Sequence, residues 1–304
     1  MVRPRIGLER PPARCIWCGS PARPVGGRLA RCEACGAATT YPAPDDVELE
    51  QAYTTWYRPG SGRFAAGGDE LLARSRATLA RRVDRRAPPG PVLDVGSGDG
   101  VLLDALHARG REALGLERES LRFDVHACEL ADFEQRRGEW AAVVMWHTLE
   151  HLREPAAGLD RAAELLVPGG LLVLAVPNLD SWQARLLGDR WLALDLPRHM
   201  VHLPAAALVD RVRSRGFRVE RISHWRGGQI VFGWLHGLVG SLPGHVDLYA
   251  AIRQPGAREQ QLTAAQRVRA LAAGVALFPV ALALSGAEIA ARAGGSVCVE
   301  ARRL

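Results

Sequence analysis

Ten residues constrain this chain more than any others: Pro91 to Gly100, which read P-V-L-D-V-G-S-G-D-G. Val92, Leu93 and Val95 form a short apolar run broken only by Asp94, the pattern of a strand buried on both faces. Gly96, Gly98 and Gly100 follow at alternate positions and lead into an apolar, helix-forming run from Val101 to Leu106. A strand, a glycine turn and a helix make the first half of a nucleotide-binding βαβ unit. Glycine suits that turn because the backbone must approach a ligand closely and adopt φ values that a side chain resists. The helix turns its free N–H groups and positive dipole end toward the same place. Glu117 comes 19 positions after Gly98 and closes the apolar stretch from Ala113 to Leu116. A carboxylate there can accept hydrogen bonds from both hydroxyls of a ribose. A merely structural turn is the alternative, and it gives the acid nothing to do.

The segment D-V-G-S-G-D-G resembles motif I of the class I S-adenosylmethionine-dependent methyltransferases. Its glycines fall as G-x-G-x-G, not as in the dinucleotide fingerprint, and Asp94 sits inside the strand. The resemblance continues through Trp140–His151, which looks like the fourth strand and its following loop. Leu165–Asn178 looks like a helix end, a P-G-G turn and the fifth strand. It implies an α/β fold: a Rossmann-like seven-stranded methyltransferase sheet with an antiparallel last strand, formed by Ser296–Ala301. It implies S-adenosyl-L-methionine as cofactor, with Asp94 near the methionine amino group, Gly96, Gly98 and Gly100 in the turn, and Glu117 on the ribose. Glu129 and Leu130 fall where the family has its adenine-contacting acid and apolar neighbour. One departure stands out: the family has a full helix after the ribose acid, and here only Glu119–Arg122 precedes the next strand, Phe123–Ala127.

Four of the six cysteines occur as Cys15-x-x-Cys18 and Cys32-x-x-Cys35, 13 residues apart. Each pair suits a knuckle presenting two thiolates, and two knuckles complete a tetrahedral zinc site. Gly19 and Gly36 follow each second cysteine, and Gly26-Gly27 suits the hairpin turn between the knuckles. Redox pairs or buried small hydrophobes are the alternatives. So short a segment has no core of its own, so a structural zinc would supply its stability. Cys128 and Cys298 are expected to be structural.

The boundaries that follow are a zinc ribbon over 14–44, a linker, lid and leading helix over 45–88, and a methyltransferase domain over 89–304. The aromatics Tyr53, Trp56 and Tyr57, between glycines, suit a lid over the cofactor or ordinary linker packing. Met1–Arg14 carries no apolar run, so the expected location is cytoplasmic. The net charge is +6, but all 39 basic residues are arginines, spread among acids. A nucleic-acid partner is therefore disfavoured.

Polar residues after the fourth strand are placed to meet a ligand. His147, Glu150 and His151 lie there, with a divalent-cation site as one alternative and, for the last two, a first-turn cap and surface pair as another. Trp191, Asp195, Pro197, Arg198, His199 and His202 resemble the W…D-x-P-R-H segment of a zinc-knuckle-bearing subgroup, often called type 23. By position, Asn178, Trp191, Arg198 and His202 should line the acceptor pocket, with plain packing as the alternative. His147 and His199 are the candidate catalytic bases. Between the last two strands lies a helical insertion, 226–295, whose run Ala270–Ala287 carries no charge. Both ends must return to one sheet, which excludes a single membrane span. Pro279 is expected to divide the run, giving a hairpin over the fold, a homodimer face or a peripheral membrane patch.

The reading is therefore methyl transfer to an O- or N-nucleophile of a small-molecule, sugar or lipid-linked acceptor. The alternatives are an RNA methyltransferase that holds its substrate by the ribbon, and a catalytically silent cofactor-binding scaffold.

Overall fold

A computed structural model describes residues 13–53, 64–65, 67–225, 228–258 and 261–304. Trp56, Tyr57 and Gly60–Gly62 of the suggested lid lie outside the described residues, as do the first twelve of the N-terminal segment.

The chain begins with strands β1 (Ala22–Gly26), β2 (Leu29–Cys32) and β3 (Ala38–Thr40). Gly26 and Gly27 turn the β1–β2 hairpin with φ of 89° and 58°, conformations that glycine adopts without a Cβ clash. Helix α1 (Asp46–Ala52) follows, capped by Asp45, whose side chain accepts the Glu48 N–H at 2.8 Å. Helix α2 (Gly68–Arg86) buries Leu79, Ala80 and Val83, and its half-buried Arg82 and Arg86 pair with the buried Glu300 of the last strand.

Next come β4 (Val92–Val95), helix α3 (Val101–His107), β5 (Ala113–Glu117) and β6 (Val125–Ala127). Then follow β7 (Trp140–Trp146), α4 (Pro155–Leu165), β8 (Leu166–Pro177), α5 (Trp182–Leu187), β9 (Val201–His202), α6 (Ala205–Ser214) and β10 (Phe217–Ser223). The insertion supplies α7 (Gly228–Gly240), α8 (Leu248–Ile252) and α9 (Ala264–Ala290), and β11 (Ser296–Arg303) closes the chain.

The main sheet has seven strands in the order β10-β11-β8-β7-β4-β5-β6. β4 to β8 run parallel, and β11 is antiparallel to both of its neighbours. Alternation along the strands divides the core. Leu93, Val95, Val143, Met145, Leu172, Leu174, Val297 and Val299 face α4 and α6, whereas Val92, Val144, Val173 and Cys298 face α2 and α3. The last strand thus behaves as its alternation predicts, with Val297 and Val299 on one side and Cys298 on the other.

Two features depart from expectation. Pro279 does not divide the apolar run: α9 continues through it for 27 residues. The proline lies on the exposed side, where the Val275 carbonyl that loses its helical partner can meet water. The hairpin is made instead by α7 against α9. The ribbon, for its part, is no separate body. Its sheet gains a fourth strand from the main domain, β9, with Ala38 opposite His202 and Thr39 opposite Val201. Trp17 is buried, donates its indole N–H to the Ala207 carbonyl at 3.2 Å, and stacks under Arg211.

Candidate active site

A cleft of about 830 Å3 opens at the carboxyl ends of β4, β5 and β7, within the roughly 300–1,000 Å3 typical of pockets that enclose a small ligand. The glycine turn forms its floor. Gly96, at φ 75°, donates to the Leu116 carbonyl at 2.8 Å. A Cβ there would lie 2.4 Å from Thr148 Oγ1, so no side chain fits. Thr148 itself donates to the Val95 carbonyl at 2.7 Å and locks the turn against the loop after β7. Gly98 donates its N–H to Glu117 Oε2 at 2.9 Å, and Arg118 donates its N–H to Glu117 Oε1 at 3.0 Å. The acid and the turn are therefore held as one unit. Gly100, at φ 77°, begins α3.

Asp94 is buried beneath the turn. Loss of water pushes its carboxyl up to about 7; Arg76 opposes the rise, and the nearby Glu117 adds to it. A bound ammonium would restore the carboxylate by the same Coulomb attraction that Arg76 provides only in part. Since the free carboxyl takes up a proton as pH falls through about 7 and the cation-bound form does not, ligand affinity should decline below that pH. The decline approaches about tenfold per unit. Titration calorimetry with S-adenosylhomocysteine across that range checks it, and Asp94→Asn should flatten the profile.

Glu129 and Leu130 line the side wall with Cys128. Glu129 Oε1 sits 3.5 Å from Arg118 Nε. Cys128, expected to be purely structural, thus borders the cleft. Asp46, Leu49, Glu50 and Tyr53 roof it. Tyr53 thus stands where the lid reading of the sequence had it, whereas the place of Asp46, Leu49 and Glu50 was not foreseen. Arg118 stacks 4.4 Å over the Tyr53 ring, and Arg153 pairs with Asp46 across the opening.

His147 and His151 stand at the other end of the cleft. His147 has a left-handed backbone, φ 58°, and its Nδ1 meets Glu150 Oε1 at 3.0 Å. Glu150 is buried, and its carbonyl accepts the Met200 N–H at 2.7 Å. His151 Nδ1 lies 2.9 Å from the Tyr53 hydroxyl and 3.1 Å from the Arg198 carbonyl.

The remaining sequence-derived candidates sit behind this wall and do not line the cleft. His199 is buried with its ring 4.6 Å from that of His151; its Nδ1 meets the Ala193 carbonyl at 2.9 Å. His202 is buried at the ribbon junction beside Thr40. Burial lowers all three imidazoles, to about 4 for His151 and about 3 for His199 and His202, so they stay neutral. Arg198 grips Asp195 with its Nε 3.1 Å from both carboxylate oxygens and reaches the Ala52 carbonyl. Trp191 packs with Ile230 and Trp234, and borders a second hollow of about 340 Å3 with Asp189 and Asp195. Asn178 is spent on its own turn: its amide donates to Gly294 and its oxygen accepts from Asp180 and Ala205.

Far from the cleft, Cys15, Cys18, Cys32 and Cys35 converge, with all four sulfurs within 4.8 Å of one another. Cys15 and Cys35 sulfurs are 3.7 Å apart, and those of Cys18 and Cys32 are 3.5 Å apart. Tetrahedral zinc with Zn–S bonds of about 2.3 Å sets sulfurs about 3.8 Å apart, so the donor set fits. Gly19 and Gly36 take φ of 78° and 74° and close each knuckle by donating to Cys15 and Cys32 carbonyls.

A protein-family profile described as a methyltransferase domain matches residues 66–222. A ubiquinone biosynthesis O-methyltransferase of Alkalilimnicola ehrlichii is 30% identical over 126 residues, 35% of this chain and 50% of that protein. One from Thiobacillus denitrificans is 27% identical over 166 residues, 47% of this chain and 72% of its own. The chain spans about half the length of several curated relatives that it matches. Among solved structures, the 4+2 cyclase SpnF aligns with a TM-score of 0.50 at 18% identity, over 86% of this chain and 97% of that one. At that identity the likeness shows the fold alone.

Proposed function

Because the chain belongs to the methyltransferase-domain family, the class I S-adenosylmethionine-dependent methyltransferases, we propose that it methylates a hydroxyl oxygen of a small-molecule or sugar acceptor that is lipid-linked. S-adenosylmethionine, the cofactor of this family, supplies an activated methyl on a sulfonium that leaves without help from an acid. The work left to the protein is to align the acceptor, exclude water and remove the acceptor's proton. The residues divide accordingly. Asp94 takes the methionine amino group of the cofactor, Glu117 its ribose hydroxyls, and Glu129 and Leu130 flank its adenine, while the glycine turn admits the close approach and α1 covers it.

One observation carries the choice of oxygen. His147 borders the cleft with Nδ1 on the buried Glu150; with the proton on Nδ1, Nε2 is the basic atom, and it lies buried in the wall of the cleft. A hydroxyl needs such a base, and the relatives named as O-methyltransferases support the same choice. Histidine in this role contributes about 10²–10⁴-fold. His147→Ala should therefore lower kcat by that factor and leave cofactor affinity unchanged, and Glu150→Gln should lower it less. An unchanged kcat in His147→Ala would remove the base assignment.

The acceptor class is tested by incubating the enzyme and methyl-labelled cofactor with separated lipid, aqueous and RNA fractions of cells. Label in the lipid fraction as a methyl ether supports the proposal. Label in RNA, or cofactor binding without transfer to any fraction, overturns it.

A further inference from the structure

Helix α9 is built inside out. Its buried stripe consists of Ala270, Gly274, Ala281, Ser285 and Glu288. Glu288 is fully enclosed and accepts hydrogen bonds from Trp234 Nε1 at 2.9 Å, Gln183 Nε2 at 3.1 Å and the Gln183 N–H at 3.0 Å. Most of its large apolar residues point the other way: Leu271, Val275, Phe278, Val280 and Leu282 are exposed, Val275 to 79%, whereas Leu277, Leu284 and Ile289 pack inward. Its most apolar 18-residue window has a mean hydropathy of 2.0 and is only 22% buried. No charged residue separates Arg269 from Glu288. A water-facing helix shows the reverse pattern, and an apolar face of this extent marks a contact.

Three features choose what the face meets. Both ends of α9 are tied to the fold, so it cannot stand across a bilayer. At its start Arg267 Nε donates to the Ala251 carbonyl at 3.1 Å, and α8 is held by the Ala65 N–H on the Ile252 carbonyl at 2.9 Å. At its end Glu288 is locked as described, and β11 pairs with β8. Charge is the second feature: Arg267 and Arg269 stand at one end, where they also bond the Ala251 and Pro243 carbonyls, and Arg292 stands at the other, with no carboxylate paired to any of them among the described residues. A two-fold copy of this face would set arginine against arginine at both ends, whereas phosphate headgroups answer them. Third, Trp225 is 64% exposed, next to His224, whose carbonyl lies against Gly294 just beyond α9. Tryptophan favours the boundary between headgroups and acyl chains.

We propose that the outward face of α9 lies flat in the headgroup–acyl boundary of an anionic membrane. The insertion leaves from the carboxyl end of β10, the same end of the parallel strands at which the cleft opens. The purpose of this contact rests on the lipid-linked acceptor proposed above, but vesicle binding is measured without methyl transfer, so either can fail alone.

The test is co-sedimentation of the full chain with vesicles of phosphatidylcholine alone or mixed with phosphatidylglycerol, alongside light scattering. The wild type should pellet with the anionic vesicles and less with the neutral ones. Val275→Asp/Leu282→Asp alters two exposed positions, so it should keep its cofactor affinity while its vesicle partitioning falls about a hundredfold or more. Arg267→Gln/Arg269→Gln should lose the preference for anionic lipid. Wild-type protein that stays in the supernatant with both vesicle types overturns the proposal, as does an aspartate variant that pellets equally. A wild-type dimer that the aspartate variant breaks, without pelleting, assigns the face to a second copy instead.

Discussion

Glu117→Ala should weaken binding of S-adenosylhomocysteine by about a hundredfold. The wild-type carboxylate already accepts the Gly98 and Arg118 N–H groups, at 2.9 and 3.0 Å, and keeps acceptor capacity facing the cleft. Alanine removes the partner of two backbone donors and of the ribose hydroxyls at once. An unsatisfied buried polar group costs roughly 1–3 kcal/mol, and 1.4 kcal/mol is about tenfold in affinity. Two such losses give the predicted factor. Glu117→Gln separates the effects, since its amide keeps one acceptor and should retain part of the affinity. Calorimetry that finds wild-type affinity in Glu117→Ala would mean the ligand does not use this end of the cleft. Glu129→Ala should cost less, because that acid is half-exposed and already paired with Arg118.

What could be read in advance follows the range of the interactions. The glycine turn, its strand and its acid lie close in sequence, and their spacing is dictated by one strand, one turn and one helix. The seven-stranded sheet and its antiparallel last strand followed from the family resemblance that these motifs carry. The cysteine knuckles were legible for the same reason, being two local turns. The acceptor side was not. Asn178, Trp191, Arg198 and His202 are polar or aromatic residues in a loop, and that pattern suits a pocket and a structural clamp equally. Only the tertiary contacts distinguish them: Asn178 braces its turn, Arg198 ties Asp195 to the end of α1, and His202 meets the ribbon. The roof was hidden for a related reason. Asp46, Leu49 and Glu50 carry the signal of a short exposed helix, and what brings α1 over the cleft is the Arg28–Glu48 pair, Arg153 and Arg198, all distant in sequence. Pro279 misled because helix propensity was weighed without the α7 face that holds α9 on both sides of it.

The roof makes the second large effect a remote one. Cys32→Ser should lose the zinc and also cost the cofactor site about tenfold or more in affinity, although the four thiols stand well outside the cleft. The route is mechanical. Zinc on the four thiols would hold the knuckles, and the knuckles hold β1–β3, whose turn residue Arg28 grips Glu48 of α1. β3 pairs with β9, where the Thr40 N–H reaches the Met200 carbonyl at 3.0 Å; the Met200 N–H in turn reaches the Glu150 carbonyl at 2.7 Å, behind His147. A ribbon without metal has little core of its own, so its loss should release α1 from above the cleft and loosen the support of His147. Metal analysis should find one zinc per chain in the wild type and none in Cys32→Ser, while far-UV circular dichroism reports that the main sheet persists. Arg28→Ala provides the finer test, since it keeps the zinc and cuts only the ribbon's grip on α1. It should lower cofactor affinity severalfold. Linkage then requires the converse: saturating S-adenosylhomocysteine should slow the loss of zinc to a chelator, because the two sites favour the same closed arrangement. Wild-type cofactor affinity in the zinc-free protein, with no protection of the metal by ligand, would make the ribbon an independent appendage.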